Sequence, residues 1–422
     1  IKKITFDTNC ISPGTKFMYK LSKYLQNECE NLKNNLNLNI YLDDSSNRGE
    51  GEHKILQHIK NNTKDEINCI YGLDADLIML GLVSDSKVYL LRESIHFNKI
   101  DRENFLLFDC ERFSDNIYNK IIEILGNYKF ELPEEYVECE EDNIFIKDRL
   151  IKDYICLCFF IGNDFLPPII GLDINLDSIH SIIQIYSKIL NIRRKYLVCE
   201  DLSINFIFVR QIMSEIFNNE EHMLRRFQTN IEQKKIKFNI KNTDNVESEL
   251  KQLDFYPILN KNKIINFKSD NWENDFYRYY FHILNQIKEK EIIDNICKNY
   301  VDGLQWNIRY YLDKCVDFNW YYEYRAAPIL KDLTNYLSQR VYPTQFKNDI
   351  EIYPLEQLCI IMPIQSSNLW ANEFKKKVEN DLFIKSDYPD DFKLDTENKI
   401  FTHDSNPILN NIEIEKIKKI FD

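Results

Sequence analysis

Two pairs of acidic residues carry the spacing most suggestive of chemistry in this chain. Glu50 and Glu52 are separated by one residue, and so are Asp74 and Asp76. Side chains two positions apart on an extended segment point to the same side, so each pair can present two carboxylates together. Carboxylates this close repel each other unless a cation lies between them, and hard divalent ions prefer oxygen ligands. The pattern predicts a metal-dependent site that cleaves phosphodiester bonds.

Asp164 adds a fifth carboxylate after a strongly apolar segment. Five acids suit two divalent ions roughly 4 Å apart, one activating a water and the other stabilising the leaving oxygen. We expect Mg²⁺, because it accepts carboxylates together with water ligands. No Walker-type phosphate loop is present, and no serine, cysteine or histidine constellation indicates a nucleophile.

Each acid also has a simpler explanation. Glu50 and Glu52 would complement a helix dipole, worth roughly 0.3–1 kcal/mol, but this leaves the flanking glycines unexplained, since glycine costs backbone entropy. Asp76 could be only a helix N-cap, Asp74 only a turn residue, and Asp164 only a helix-end residue. The occurrence of two pairs, each after an apolar strand candidate, favours the functional interpretation.

The surrounding elements place these acids at one edge of a sheet. Short apolar segments predict strands at 4–6, 39–42, 68–71 and 88–91, and helical periodicity predicts helices at 17–32, 55–59, 77–82 and 149–162. Thr15 is the expected N-cap of the first helix. Strands alternating with helices predict an α/β fold with a mostly parallel sheet flanked by helices. Ligands of such folds bind at the carboxyl ends of strands, where both acid pairs lie.

The second half of the chain has few strand signals. We therefore predict an α/β domain at 1–175 and a mainly helical, aromatic-rich region at 176–422 packed around it. The acidic run 134–142 is expected to be a solvated loop, and the polar stretch 230–251 a mobile connection.

Composition restricts the classes of function. The chain has 422 residues, 44% of them hydrophobic, and a net charge of -13, which indicates a folded protein and counts against non-specific nucleic-acid binding. It does not exclude an enzyme that collects acids around metal ions and keeps a basic channel. Eleven cysteines without zinc-site spacing indicate a reducing compartment and no structural zinc. No apolar stretch is long enough to cross a bilayer, so no membrane association is expected.

Several segments, in one order, closely resemble the signature blocks of the XRN family of 5′-to-3′ exoribonucleases. The resemblance extends from residue 4 to about residue 403. The blocks are FDTNCISPGT (6–15), GEGEHKI (49–55), YGLDADLIMLGL (71–82), GNDFLP (162–167), GLQW (303–306), NWYY (319–322) and PLEQL (354–358).

The resemblance implies a fold related to PIN and flap-endonuclease domains, which belongs to the first of two conserved regions. It implies processive removal of nucleotides from single-stranded RNA with a 5′-monophosphate, driven by magnesium or manganese, in RNA decay or processing. The metal-binding catalytic roles fall on matching residues: Glu50, Glu52, Asp74, Asp76 and Asp164. The helical second region would wall the active site.

RNA contacts have three candidates. Trp306 or Trp320 could stack on bases, an interaction worth roughly 1–3 kcal/mol per base, although a tryptophan in an aromatic-rich segment is more often part of the core. His53 is the third candidate, and its alternative is a structural neighbour of the acids.

One departure from the family concerns the start of the chain. Family members begin with a further segment that supplies two more metal-binding aspartates, the pocket for the 5′-phosphate and the first strand. We interpret the chain as a catalytic core whose amino-terminal segment belongs to the same protein or to a separate chain, because the five acids are intact.

Two alternatives stay open: a flap-type structure-specific endonuclease, and a non-catalytic RNA-binding or scaffold relative. Partner proteins of RNA decay are possible for either an enzyme or a scaffold. Relatives occur in cytoplasm and nucleus, and the absence of an evident basic nuclear signal favours the cytoplasm.

Overall fold

The computed structural model describes residues 6–62, 66–96, 99–126, 145–173, 177–239, 253–259, 263–339, 345–346 and 351–421. Contacts between Cα atoms divide the chain into two compact units. The first comprises Ile1–Lys54, Ile350–Thr396 and His403–Asp422, and the second comprises Ile55–Asp349 and Glu397–Thr402. The predicted boundary near residue 175 does not coincide with this division, and the two predicted regions remain a prediction.

A three-stranded sheet lies in the second unit. Its strands, in spatial order, are β1 (Ile67–Tyr71), β2 (Lys87–His96) and β3 (Lys99–Asp109). β1 pairs with β2 in parallel, with Ile70 opposite Leu90, and β2 pairs with β3 antiparallel. The buried face packs Ile70, Leu90 and Val88 against a neighbouring helix. The described sheet is therefore mixed, and the prediction of a mostly parallel sheet is not confirmed.

Helices precede, connect and follow these strands. The described ones before residue 200 are α1 (Lys16–Leu36), α2 (Gly51–Asn62), α3 (Asp76–Leu82), α4 (Cys110–Gly126), α5 (Lys147–Phe159) and α6 (Ser178–Arg193). Thr15 caps α1 as predicted, because its Oγ1 accepts a hydrogen bond of 3.2 Å from the amide of Met18. The predicted helices near 77–82 and 149–162 are confirmed as α3 and α5.

The rest of the second unit is helical. Its described helices are α7 (Phe206–Phe217), α8 (Glu220–Asn239), α9 (Tyr256–Leu259), α10 (Trp272–Phe281), α11 (Lys290–Leu312) and α12 (Leu330–Leu337). Almost every residue of α11 from Tyr300 onward is buried. A core cluster joins α4 to α7 with α10 to α12, and it includes Phe159, Tyr186, Phe208, Tyr277 and Leu304. The mixed α/β architecture with a large helical part is thus established.

The first unit has its own core. After α1 it contains α13 (Pro354–Ile361), α14 (Asn372–Asn380), α15 (Leu382–Lys385), the antiparallel pair β4 (Lys393–Asp395) and β5 (Asn406–Ile408), and α16 (Ile414–Phe421). Leu358, Trp370, Phe374 and Tyr388 form the centre of this core. Short 3-10 helices cover Thr8–Cys10, Ile364–Leu369 and Thr402–Asp404, the last of which begins at the final residue of the second unit.

Three local predictions differ from the structure. Residues 39–42 form no strand, because no described strand lies beside them to complete a ladder and Tyr41 is 75% exposed. β3 was not predicted, since its first half is polar in sequence. Residues 230–239 continue helix α8 instead of forming a mobile connection.

Other predictions fall on residues 1–5, 127–144, 174–176 and 240–250, which lie outside the described part of the chain. They include residues 4 and 5 of the strand predicted at 4–6, and the acidic loop predicted at 134–142. Within the described residues, every helix is too short or too polar to cross a membrane.

Candidate active site

The first acid pair lies at the start of α2, in the first unit. Glu50 is exposed and its carbonyl accepts the first helical hydrogen bond, 3.1 Å from the amide of Lys54, while Glu52 lies half-buried in the first turn. Gly49 has φ of +93°, a conformation that favours glycine. Gly51 does not have a positive φ, and a Cβ added there would meet no described atom within 4 Å, so neither feature requires glycine at this position.

Lys54 fixes the loop that leads into this pair. Its Nζ donates to the carbonyl oxygens of Asp44 and Asn47, both at 2.9 Å, and forms a salt bridge of 3.0 Å with Asp43. The ammonium group of Lys54 therefore binds the loop before α2. His53 is half-buried in the first turn of the helix and has contacts of its own, so its place among the RNA contacts remains a prediction.

The second acid pair follows β1, in the second unit. Asp74 is exposed, and its Oδ1 accepts a hydrogen bond of 3.1 Å from the amide of Asp76, so Asp74 does stabilise the turn. Ala75 occupies the N-cap position of α3, and Asp76 is the first helical residue. The alternative that Asp76 is merely an N-cap is therefore wrong. Turn formation uses part of the Asp74 carboxylate, which has four lone-pair sites in all.

The side chain of Asp76 is held from the far end of α11. Its Oδ2 accepts a hydrogen bond of 2.8 Å from the hydroxyl of Tyr311, which is 1% exposed. Burial raises the pKa of the Tyr311 hydroxyl, and the negative charge of Asp76 raises it further. Tyr311 is consequently a neutral donor at any physiological pH.

Asp164 follows Asn163, whose side chain is hydrogen-bonded to the same tyrosine. It is exposed in the turn after α5, and its charge also raises the pKa of Tyr311, while a hydrogen bond from the Asn163 side chain lowers it. The Oδ1 of Asn163 accepts from the amides of Phe165 and Leu166 at 3.1 and 2.9 Å. The structure thus brings the Asp76 turn and the Asp164 turn together around Tyr311.

The metal assignment can be compared with these positions. Oxygen ligands alone suit a hard cation, and among the described residues Glu52, Asp74 and Asp164 form no salt bridge with lysine or arginine. In the same part of the chain, however, no three His, Cys, Asp or Glu side chains are placed to hold a metal ion. The described carboxylates therefore do not form a metal site by themselves, and both magnesium and the roles of the five acids as ligands remain predictions.

The two tryptophan candidates differ in exposure. Trp306 is 3% exposed, and its indole Nε1 donates to the carbonyl of Asp317 at 2.8 Å. It stacks on Tyr310 at 4.7 Å and on Trp320 at 5.3 Å between ring centroids. Trp306 is therefore part of the core in this structure, as its alternative predicted. Trp320 is half-buried, so its ring is the better candidate for an RNA contact.

The residues that sequence reasoning missed are Tyr311, Asn307 and Asn163. The first two lie four positions apart on α11, in a stretch where both sides of the helix are buried. A polar group in such a stretch must find a partner, and this was the available signal. Asn163 directly precedes an acid that was predicted, but its own role was not considered.

Comparisons with known proteins show which family the chain resembles. The family model described as XRN 5'-3' exonuclease N-terminus matches residues 1–94, and the one described as Xrn1 helical domain matches residues 145–270 and 259–413. Among curated relatives, the chain is 27% identical to 5'-3' exoribonuclease 1 of Schizosaccharomyces pombe, over 93% of this chain and 37% of the relative.

Two animal proteins give similar values. Identity is 28% to human 5'-3' exoribonuclease 1, over 93% of this chain and 25% of the relative, and 26% to the Drosophila melanogaster 5'-3' exoribonuclease 2 homolog, over 94% and 51%. The chain thus spans between a quarter and about half of the length of these relatives. Because the two family matches together cover most of its residues, the chain belongs to the XRN family of 5′-to-3′ exoribonucleases.

Proposed function

We propose that the protein containing this chain is a 5′-to-3′ exoribonuclease that degrades single-stranded RNA bearing a 5′-monophosphate. The observation that carries the proposal is the convergence of the Asp76 and Asp164 turns on the buried Tyr311 hydroxyl. A fold that only needed a stable core would gain nothing from directing two acidic turns to one point, because like charges repel.

The proposed site uses carboxylates as ligands for two Mg²⁺ or Mn²⁺ ions. Its ligands would be the five predicted acids: Glu50, Glu52, Asp74, Asp76 and Asp164. When bound, the ions would activate the attacking water and neutralise the leaving oxygen. The chain's own contribution is orientation: Tyr311 fixes the Asp76 carboxylate, and Asn163 fixes the turn that carries Asp164.

The proposal includes a biological setting. The substrate class places the enzyme in RNA decay or processing, where partner proteins would deliver it to its RNA. We propose the cytoplasm as its location, with the nucleus as the alternative, and imaging of the tagged full-length protein distinguishes them.

The test is an RNA decay assay on the full-length protein with Mg²⁺ or Mn²⁺. We expect release of mononucleotides from 5′-monophosphorylated RNA, with capped or 5′-triphosphorylated RNA resistant. Asp74→Ala should abolish release, because it removes a carboxylate from the site. Asp270→Ala is the matched control, since Asp270 is exposed and lies outside the site, and its activity should equal that of the wild type.

Other outcomes select the alternatives. Unchanged turnover in Asp74→Ala would remove the catalytic assignment. Internal cuts in a flap substrate would favour a flap-type endonuclease, and RNA binding without nucleotide release would favour a scaffold protein.

A further inference from the structure

The loop that joins α10 to α11, residues 282–289, exposes two large apolar side chains. Leu284 is 76% exposed and Ile287 is 91% exposed. Ile292, at the start of α11, is 44% exposed as well. Single exposed apolar residues are common on protein surfaces, whereas neighbouring ones rimmed by polar groups mark interaction sites. The surface around Ile287 therefore has the character of an interaction site.

Two polar side chains hold the 282–289 loop in one conformation. Glu289 Oε1 accepts hydrogen bonds from the amides of Leu284 and Asn285, at 3.1 and 3.0 Å. Asn285 Oδ1 accepts from the amides of Ile287 and Lys288, both at 3.1 Å. Because the backbone that presents the apolar side chains is already ordered, little conformational entropy is lost when a partner binds them.

A cavity of about 450 Å³ lies beside Ile287, within the range of roughly 300–1,000 Å³ that is typical of ligand pockets. The loop, the start of α11 and helix α12 form its walls. The lining combines apolar with polar side chains and includes Gln286, Ile287, Ile293, Asp294, Asp332 and Tyr336. Since Ile287 belongs both to the exposed loop and to the lining, one ligand can contact both.

The two carboxylates of the lining have no lysine or arginine as a partner among the described residues. Asp294 is half-buried, and within these residues it forms neither a hydrogen bond nor a salt bridge. Asp332 accepts a hydrogen bond of 2.6 Å from the hydroxyl of Tyr277. Lys331 also lines the cavity, but its ammonium group is 3.0 Å from a carboxylate oxygen of Glu273. Both lining carboxylates are thus open to a cation from outside.

Two further charged residues decide the sign of the electrostatic potential in the cavity. Lys290 lines it as well, but is exposed to water, where its charge is screened. Glu220 interacts electrostatically with Glu273, Lys331 and Asp332. It is 7% exposed, and its Oε1 has no hydrogen-bond partner among the described residues. Carboxylates outnumber ammonium groups here, so the cavity attracts a positive group.

The positive group that fits is organic. Among the described residues no three acidic, histidine or cysteine side chains are placed to hold a metal ion, whereas an ammonium or guanidinium group forms charge-assisted bonds with one or two carboxylates. The same charge repels the phosphates of RNA. We propose that this surface docks a segment of a partner protein, which places a lysine or arginine side chain in the cavity beside Asp294 and an apolar side chain against Ile287.

The test is selection from a phage-displayed library of random dodecapeptides on the immobilised full-length protein. We expect the enriched peptides to combine a lysine or arginine with a neighbouring leucine, isoleucine or aromatic residue. The most enriched peptide is then synthesised, and its Kd is measured by fluorescence anisotropy. Replacing its basic residue by glutamate should abolish binding, because like charges repel.

Two variants show whether the peptide binds this surface. Asp294→Asn removes a charge at nearly constant shape, and Ile287→Ser removes an exposed apolar side chain. Each should raise the Kd about tenfold. Asp148→Asn and Ile192→Ser are the matched controls, since Asp148 is exposed and Ile192 is 71% exposed, both away from the cavity. Their Kd values should equal that of the wild type.

The proposal is overturned if the library yields no enriched peptide, if the enriched peptides lack a basic residue, or if either Asp294→Asn or Ile287→Ser binds the selected peptide as tightly as the wild type. Peptide binding is measured without RNA and without a metal ion, so failure of the nuclease assignment leaves this result unchanged. Normal RNA decay in a protein that selects no such peptide refutes the docking surface alone.

Discussion

Glu220 makes the free energy of unfolding depend on pH, and its replacement by glutamine tests how strongly. The residue begins α8, is 7% exposed, and its Oε1 is buried without a hydrogen-bond partner among the described residues. Burial, together with the charge of Glu273, raises the pKa of Glu220 from an ordinary value of 4.5 to about 7. Lys331 opposes this shift, and Asp332 adds to it.

The sign follows from the two protonation states. Below pH 4.5 the carboxyl is protonated in both the folded and the unfolded chain, so its folding contribution is fully present. As the pH rises towards 7, the unfolded chain ionises first, and the folded state loses stability relative to it. A shift of this size corresponds to a loss of as much as about 3 kcal/mol by pH 8.

Glutamine keeps the shape of Glu220 and stays neutral, so Glu220→Gln should match the wild type closely at pH 4, below the ordinary pKa of 4.5. At pH 8 it should be more stable by about 1–3 kcal/mol, measured by urea unfolding at each pH. Glu221→Gln is the control, because the Glu221 side chain is 79% exposed in an ion pair with Arg225, and exposed pairs contribute little. A difference between Glu220→Gln and the wild type that is the same at pH 4 and pH 8 would refute the argument.

Two further predictions concern the packing beside the site. Gly303→Ala would place a Cβ 2.6 Å from Leu166 Cδ2 and 2.8 Å from the ring of Trp320, so the free energy of unfolding measured in urea should fall by about 1–3 kcal/mol. Gly126→Ala is the control, because its Cβ would meet no described atom within 4 Å. Equal stabilities of the two variants would contradict the packing argument. Trp306→Phe removes the indole group that donates to the Asp317 carbonyl, so it should cost about 1–3 kcal/mol of stability and leave RNA affinity unchanged. Trp320→Phe should instead weaken RNA binding in a filter-binding assay. The reverse pattern would make Trp306 the RNA contact.

Much of the local structure could be predicted because it depends on neighbours in sequence. Thr15 caps α1 through a residue three positions away, and α3 and α5 follow from apolar periodicity. The mixed sheet could not be predicted in this way. β3 pairs antiparallel with β2 through a strand whose apolar residues are consecutive, so its sequence lacks the alternation that signals a half-exposed strand.

The candidate site shows the same division. The carboxylates at 50, 52, 74, 76 and 164 are visible in the sequence because acids at such spacing rarely serve packing. Tyr311 is not visible, because it lies 235 positions from Asp76 in a helix rich in tyrosine. Its hydrogen bond to Asp76 depends on the packing of α11 in the tertiary structure, which the local sequence does not specify.

The bond between Tyr311 and Asp76 joins the two family regions chemically. Asp76 lies within residues 1–94, matched by the amino-terminal exonuclease model, and Tyr311 lies within 259–413, matched by the helical-domain model. An acid exposed to water on a loop would rotate freely, whereas the Asp76 carboxylate is held by the Tyr311 hydroxyl at 2.8 Å. The helical region therefore does more than surround the acids, because its α11 supplies the donor that fixes one of them.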